Sequence, residues 1–187
     1  LVLATFAFVA GAAAAHGVVA RHRARGYDRL VFSRPVSPVR YYTQGFVLAG
    51  IGAVILGAVC TEVYAVAVHP VSLPGVAGYV ALAWLLVGGL AFLLSTVTAF
   101  YLPILVLVLA ADLALDHFAG ALSAAGAGAV AAILQFALPP AHVLVTLRGE
   151  FARGLAVDPR ALAWPAGFGI ACIVAAMVLL RRRPFSS

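Results

Sequence analysis

The chain has 187 residues, of which 65% are hydrophobic and 10% charged, with twelve arginines, no lysine, six acidic residues and a formal net charge of +6. So few polar residues cannot coat a water-soluble domain of this size, so the composition points to an integral membrane protein. A basic balance would suggest nucleic acid in a soluble protein. Here the arginines sit beside apolar runs, where they meet anionic headgroups and fix topology.

Residues 1 to 20 read as a first membrane span, about the length a helix needs to cross the hydrocarbon core. The chain opens on Leu1 inside this apolar run and its one methionine is Met177, which suggests a fragment lacking its true start. Arg21 to Tyr42 is the one long polar passage and holds six of the twelve arginines, Arg21, Arg23, Arg25, Arg29, Arg34 and Arg40. Lying between two spans, a loop so charged is placed in the cytoplasm by the positive-inside rule. Gly26 can stop the preceding helix, and Tyr27, Leu30, Val31 and Arg34 fall at i, i+3, i+4 and i+7, one stripe of a short amphipathic helix. Pro35 ends it. Ser37 followed by Pro38 is the pattern of an N-cap with proline at the first helical position, so a new helix is expected there.

The next span is expected over residues 43 to 68. Gly45, Ala49, Ala53 and Gly57 recur at four-residue spacing, a ridge of small residues that lets another helix approach closely. Glu62 lies about 27 Å along this helix from Gln44, which places it near the outer surface. His69 to Gly75, with two prolines and a glycine, reads as an outer loop. A returning span is expected from about Val76 to Thr98, then a tight turn, then a span from Pro103 to about His117. Asp112 and Asp116 lie four residues apart on this helix, beside His117, and an aspartate within a span is a candidate functional residue.

Residues 119 to 138 are rich in alanine and glycine and end at Pro139 and Pro140. If they crossed, the last span, from about Ala161 to Leu180, would leave Arg181, Arg182 and Arg183 outside, against the positive-inside rule. They are therefore expected to extend the preceding helix or to re-enter without crossing, with 139 to 160 an outer segment. The fold expected is one all-α transmembrane bundle over residues 1 to 187, with about five crossings and the cytoplasmic loop 21 to 42 within it. Cys60 and Cys172, inside apolar segments and without CxxC spacing, read as packing residues.

The sequence contains no glycine-rich phosphate loop, GxSxG elbow or HExxH pair. Phe32, Ser33, Arg34, Pro35, Val36 and Ser37, with Arg40, Tyr41 and Tyr42 after them and Gly26 and Tyr27 before, resemble the "SRPVS" segment between two membrane helices of ABC transporter permeases of the type-2 exporter class. LPPAH at 138 to 142, Gly154, and a last helix with Gly167 and Gly169 ending in RRRPF also resemble the C-terminal third of such permeases. The resemblance covers nearly the whole chain, with the family's first membrane helix missing.

It implies a subunit of an ATP-driven exporter in the cytoplasmic membrane of a prokaryote, paired with a second permease half. The loop, through Tyr27, Arg29, Leu30, Val31, Arg34, Pro35 and Ser37, would dock on a cytoplasmic ATP-binding subunit. ATP and Mg²⁺ would be bound by that partner and no cofactor by this chain, which would have no ATPase site of its own. Two other readings compete: an intramembrane metal-dependent enzyme using Asp112, Asp116, His117 and His142, which requires those groups to converge, and a membrane anchor or assembly factor packed through its Gly/Ala ridges.

Overall fold

A computed structural model describes residues 37–67 and 72–182. These residues form six helices: α1 Pro38–Ala67, α2 Leu73–Val97, α3 Tyr101–Ala124, α4 Gly128–Ala137, α5 Ala141–Arg153 and α6 Pro159–Arg182. α1, α2, α3 and α6 are each long and apolar enough to cross a membrane, as expected from the sequence. The described residues thus form an all-helical, polytopic membrane bundle.

α1 begins where Ser37 and Pro38 require, the Ser37 carbonyl accepting the Tyr41 N–H at 3.0 Å. α2 starts at Leu73, so Pro74 and Gly75 belong to the helix and not to a loop. The Ser72 hydroxyl caps it by accepting the Gly75 N–H, and a proline in the first turn has no N–H to leave unpaired. α3 runs past His117 to Ala124 because the residues that follow, Phe-Ala-Gly-Ala-Leu-Ser-Ala, are mostly good helix formers. It stops at Gly126, whose φ of 78° is a left-handed conformation that glycine adopts without strain.

α2 is the central helix. Of its most apolar stretch 67% is buried, against 28% for α1, 17% for α3 and 22% for α6, which leave most of theirs on the outside of the bundle. It packs on α1, α3, α5 and α6. Midway, residues Trp84–Gly88 form one π-helical turn. The Trp84 indole lies in a notch made by Gly50 of α1 and Gly88, where a β-carbon at Gly50 would strike the ring, and it stacks on Phe46 at 4.9 Å. Ser95 and Thr96, buried in α2, satisfy their hydroxyls on the carbonyls of Phe92 and Leu93.

The seam of α1 is Tyr42, Phe46, Gly50, Ala53, Gly57 and Thr61, all buried. Of the expected ridge, Ala53 and Gly57 lie in it, Gly57 against Val80, while Gly45 and Ala49 are half-buried at its edge. The seam thus follows the expected ridge in its second half and departs from it by one residue in its first, where Gly50 lies against Trp84. Glu62 is exposed.

Helix directions follow from the contacts. Phe46 lies near Phe92, Gly50 at Trp84 and Gly57 at Val80, so α1 is antiparallel to α2. Leu162 and Ala166 pack with the first half of α2, Gly169 against Leu85 and Gly89, and Ala176 and Leu180 in the cluster with Leu90 and Phe92, so α6 is parallel to α2. The start of α1 and the end of α6 therefore share one end of the bundle, where Arg40, Arg181 and Arg182 gather.

Candidate functional site

The polar centre of the described bundle is built from α3 and α5. α4, ten residues or about 15 Å long, is too short to cross and folds back against α3 from the turn at 125–127. Leu138, Pro139 and Pro140 break the chain, and α5 leaves at 76° to α4. α5 then packs on the first half of α2, burying Ala141, Leu144 and Leu147, and ends at Gly154, whose φ is 67°. Its last turn is tied to the start of α2 by the Ser72 N–H, which donates to the Ala152 carbonyl at 3.0 Å. The α4–α5 pair thus begins and ends at the same end of the bundle. Residues 119 to 138 are divided between the end of α3 and α4, which by itself is too short to cross. The segment 139 to 160, expected as outer chain, is mostly a helix with a buried face, and Pro140 is itself buried.

A helix that starts inside a bundle leaves N–H groups without partners, and in hydrocarbon no water satisfies them. The local sequence reduces the problem first: Pro139 and Pro140 carry no N–H, and the Ala141 N–H donates to the Pro139 carbonyl at 2.7 Å. Asp112 supplies the next partner from α3. It is fully buried, and its Oδ2 accepts the His142 backbone N–H at 2.8 Å. The same carboxylate meets His142 Nδ1, at 3.0 Å from Oδ1 and 2.9 Å from Oδ2. With Asp112 ionised, Nδ1 carries the proton and the carboxylate accepts both donors. Its negative charge also faces the positive end of the α5 dipole. The His142 side chain is 21% exposed while that of Asp112 is 0% exposed, so the imidazole forms the outer edge of the site and the carboxylate its floor.

Asp116 is exposed one turn further along α3, and His117 is exposed with its ring against the neighbouring Phe118 at 5.0 Å. Of the four groups that a metal-dependent reaction would need, Asp112 and His142 are brought together and Asp116 and His117 are not. Among the described residues, no three His, Cys, Asp or Glu side chains converge in a way that could hold a metal ion. The pairing spans 30 residues, and the one sequence signal for it was the rarity of polar groups in apolar surroundings.

Of the residues assigned to ATPase coupling, Tyr27, Arg29, Leu30, Val31, Arg34 and Pro35 lie outside the described residues, and Ser37 is exposed at the start of α1. Gly169 is wedged against the Leu85 carbonyl of α2, whereas Gly167 faces open space. Comparison with protein-family models, with curated proteins and with solved structures gives no match.

Proposed function

We propose that the chain is the membrane-spanning permease subunit of an ATP-driven ABC exporter, one half of a dimer, coupled to a cytoplasmic ATP-binding subunit that holds ATP and Mg²⁺. The observation that carries this reading is that the SRPVS segment leads without a gap into α1, whose first residue is Pro38. A short helix between two spans pushes on both of them when a partner moves it. α1 would pass that displacement on through its close contacts at Gly50 and Gly57 to α2, the helix that touches most of the others. The end of the bundle with Arg40, Arg181 and Arg182 would face the cytoplasm under the positive-inside rule. The outward apolar faces of α1, α3 and α6 are the surfaces available to lipid and to a second permease half.

The loop is the place to test this. Interface energy concentrates in a few aromatic and arginine anchors, while rim charges contribute little. Replacing Tyr27 and Arg34 with alanine should reduce co-purification of a co-expressed ATP-binding subunit and uncouple its hydrolysis from transport. Replacing Arg21 and Arg23, which adjoin the first apolar run in the sequence, should do much less. Equal losses from both pairs would reduce the loop to simple electrostatics, and no loss from either would remove its coupling role.

A further inference from the structure

We propose that Asp112 and His142 form a proton-binding latch, in which a proton taken up through the imidazole weakens the hold of α3 on the buried start of α5 and frees the α4–α5 pair to move. The inference does not rest on the exporter reading; it stands on the geometry of the re-entering pair alone.

Asp112 is fully buried, so a proton reaches it through the partly exposed ring of His142. With the carboxylate ionised, Nδ1 carries the hydrogen that it donates. A proton arriving at Nε2 gives an imidazolium, and the Nδ1 hydrogen can then pass to the carboxylate. The product is a neutral carboxylic acid donating to Nδ1, with the ring hydrogen now on Nε2. One proton is gained: an N–H bond forms at Nε2, the Nδ1–H bond breaks and one O–H bond forms.

This changes what holds α5. A carboxylate accepts the His142 backbone N–H as a charge-assisted bond and opposes the positive end of the helix dipole; a neutral acid does neither as well. The break at Leu138, Pro139 and Pro140 lies immediately before the held residue, so the freed motion is a change in the 76° angle between α4 and α5. At its far end α5 stays tied through Ser72 and Ala152.

Few other charges face the pair from the elements around it. α4 carries no titratable side chain and α2 carries Tyr79 alone. α3 adds Tyr101 at its start, and Asp116 and His117, both exposed; α5 adds Arg148, Glu150 and Arg153 from its second turn onward; α6 has Cys172 within its length and arginines at its ends.

The fold carries its own reporter. Phe136 of α4 stacks on Trp164 of α6 at 4.8 Å, so the emission of Trp164 follows the docking of α4. The full chain, reconstituted in phosphatidylcholine vesicles, would be titrated by pH, and the Trp164 signal identified by its loss in Trp164→Phe. The expected result is a reversible single-proton transition in Trp164 emission that disappears in Asp112→Asn. That variant keeps an oxygen for the backbone N–H and an amide for Nδ1, so it preserves the cap while removing the proton site. In parallel, an infrared pH-difference spectrum should show one protonated carboxyl band in the wild type that is absent from Asp112→Asn. If Asp112→Ala fails to fold, Asp112→Asn still decides the matter. A transition unchanged in Asp112→Asn, or no transition in the wild type, would overturn the latch.

Discussion

Gly169 of α6 lies against the Leu85 carbonyl of α2, at a separation no β-carbon could share, and Gly89 returns the approach, since a β-carbon there would stand 2.7 Å from the Gly169 carbonyl oxygen. Two backbones in contact gain dispersion energy along their length where hydrophobic drive between helices is absent. Gly169→Ala should therefore force the helices apart and lower stability by about 1–3 kcal/mol. Gly167→Ala, facing open space on the same helix, should be neutral or mildly stabilising. Thermal unfolding of both variants in detergent checks this, and equal effects would refute the asymmetry.

The notch that holds Trp84 makes a second contrast. A β-carbon at Gly50 would strike the indole, whereas at Gly52 nothing lies within 4 Å. Gly50→Ala should displace the ring from its stack on Phe46, shift tryptophan emission and destabilise the fold, while Gly52→Ala should leave both unchanged. Emission spectra with denaturation curves would separate the two.

The course of the chain across the membrane is testable with thiol labelling. Cys60 and Cys172 would first be replaced by alanine, and single cysteines introduced at Ser72, Gly126, Leu155 and Ser187. Positions 72, 126 and 155 should react with an impermeant reagent from one side of the membrane, and position 187 from the other. Labelling of 126 and 155 from opposite sides would make α4 and α5 one broken span.

Asp112→Ala removes the acceptor of a buried N–H, and such a loss costs about 1–3 kcal/mol. Asp116→Ala, in an exposed position, should cost little. Loss of stability on heating in detergent should rank the two in that order.

The long spans were legible because crossing hydrocarbon demands a run of apolar residues whatever else the chain does. Ser37 and Pro38 were legible for a local reason, as capping and a fixed φ act within four residues. Ser72 carries the same signal, but the prolines and glycine around it, in HPVSLPG, read as a loop when two of those residues in fact enter the first helical turn. α5 was missed because Arg148, Glu150 and Arg153 suggested outer chain. Its periodic Ala141, Leu144, Leu147 and Phe151, stopped by Gly154, could have identified it. Asp112 stood out as an aspartate within a span and His142 entered only with the metal-dependent reading, yet what joins them is a bend at two prolines that no local spacing records. The register of α1 could not be read because several glycines and alanines compete for the seam, and the choice falls to Trp84 on another helix.

The π turn at Trp84–Gly88 adds one residue to a helix that would otherwise keep a single phase. Everything after it is advanced by about 100°, the angle of one α-helical residue. α2 can in this way turn one face to α1 and α5 over its first half and a different face to α3 over its second, while α6 runs along both. Removing one residue from the turn would restore an uninterrupted α-helix of nearly the same length and hydropathy, and it would carry Gly89 away from Gly169. By composition the altered chain would still insert, and it would assemble with its halves out of phase.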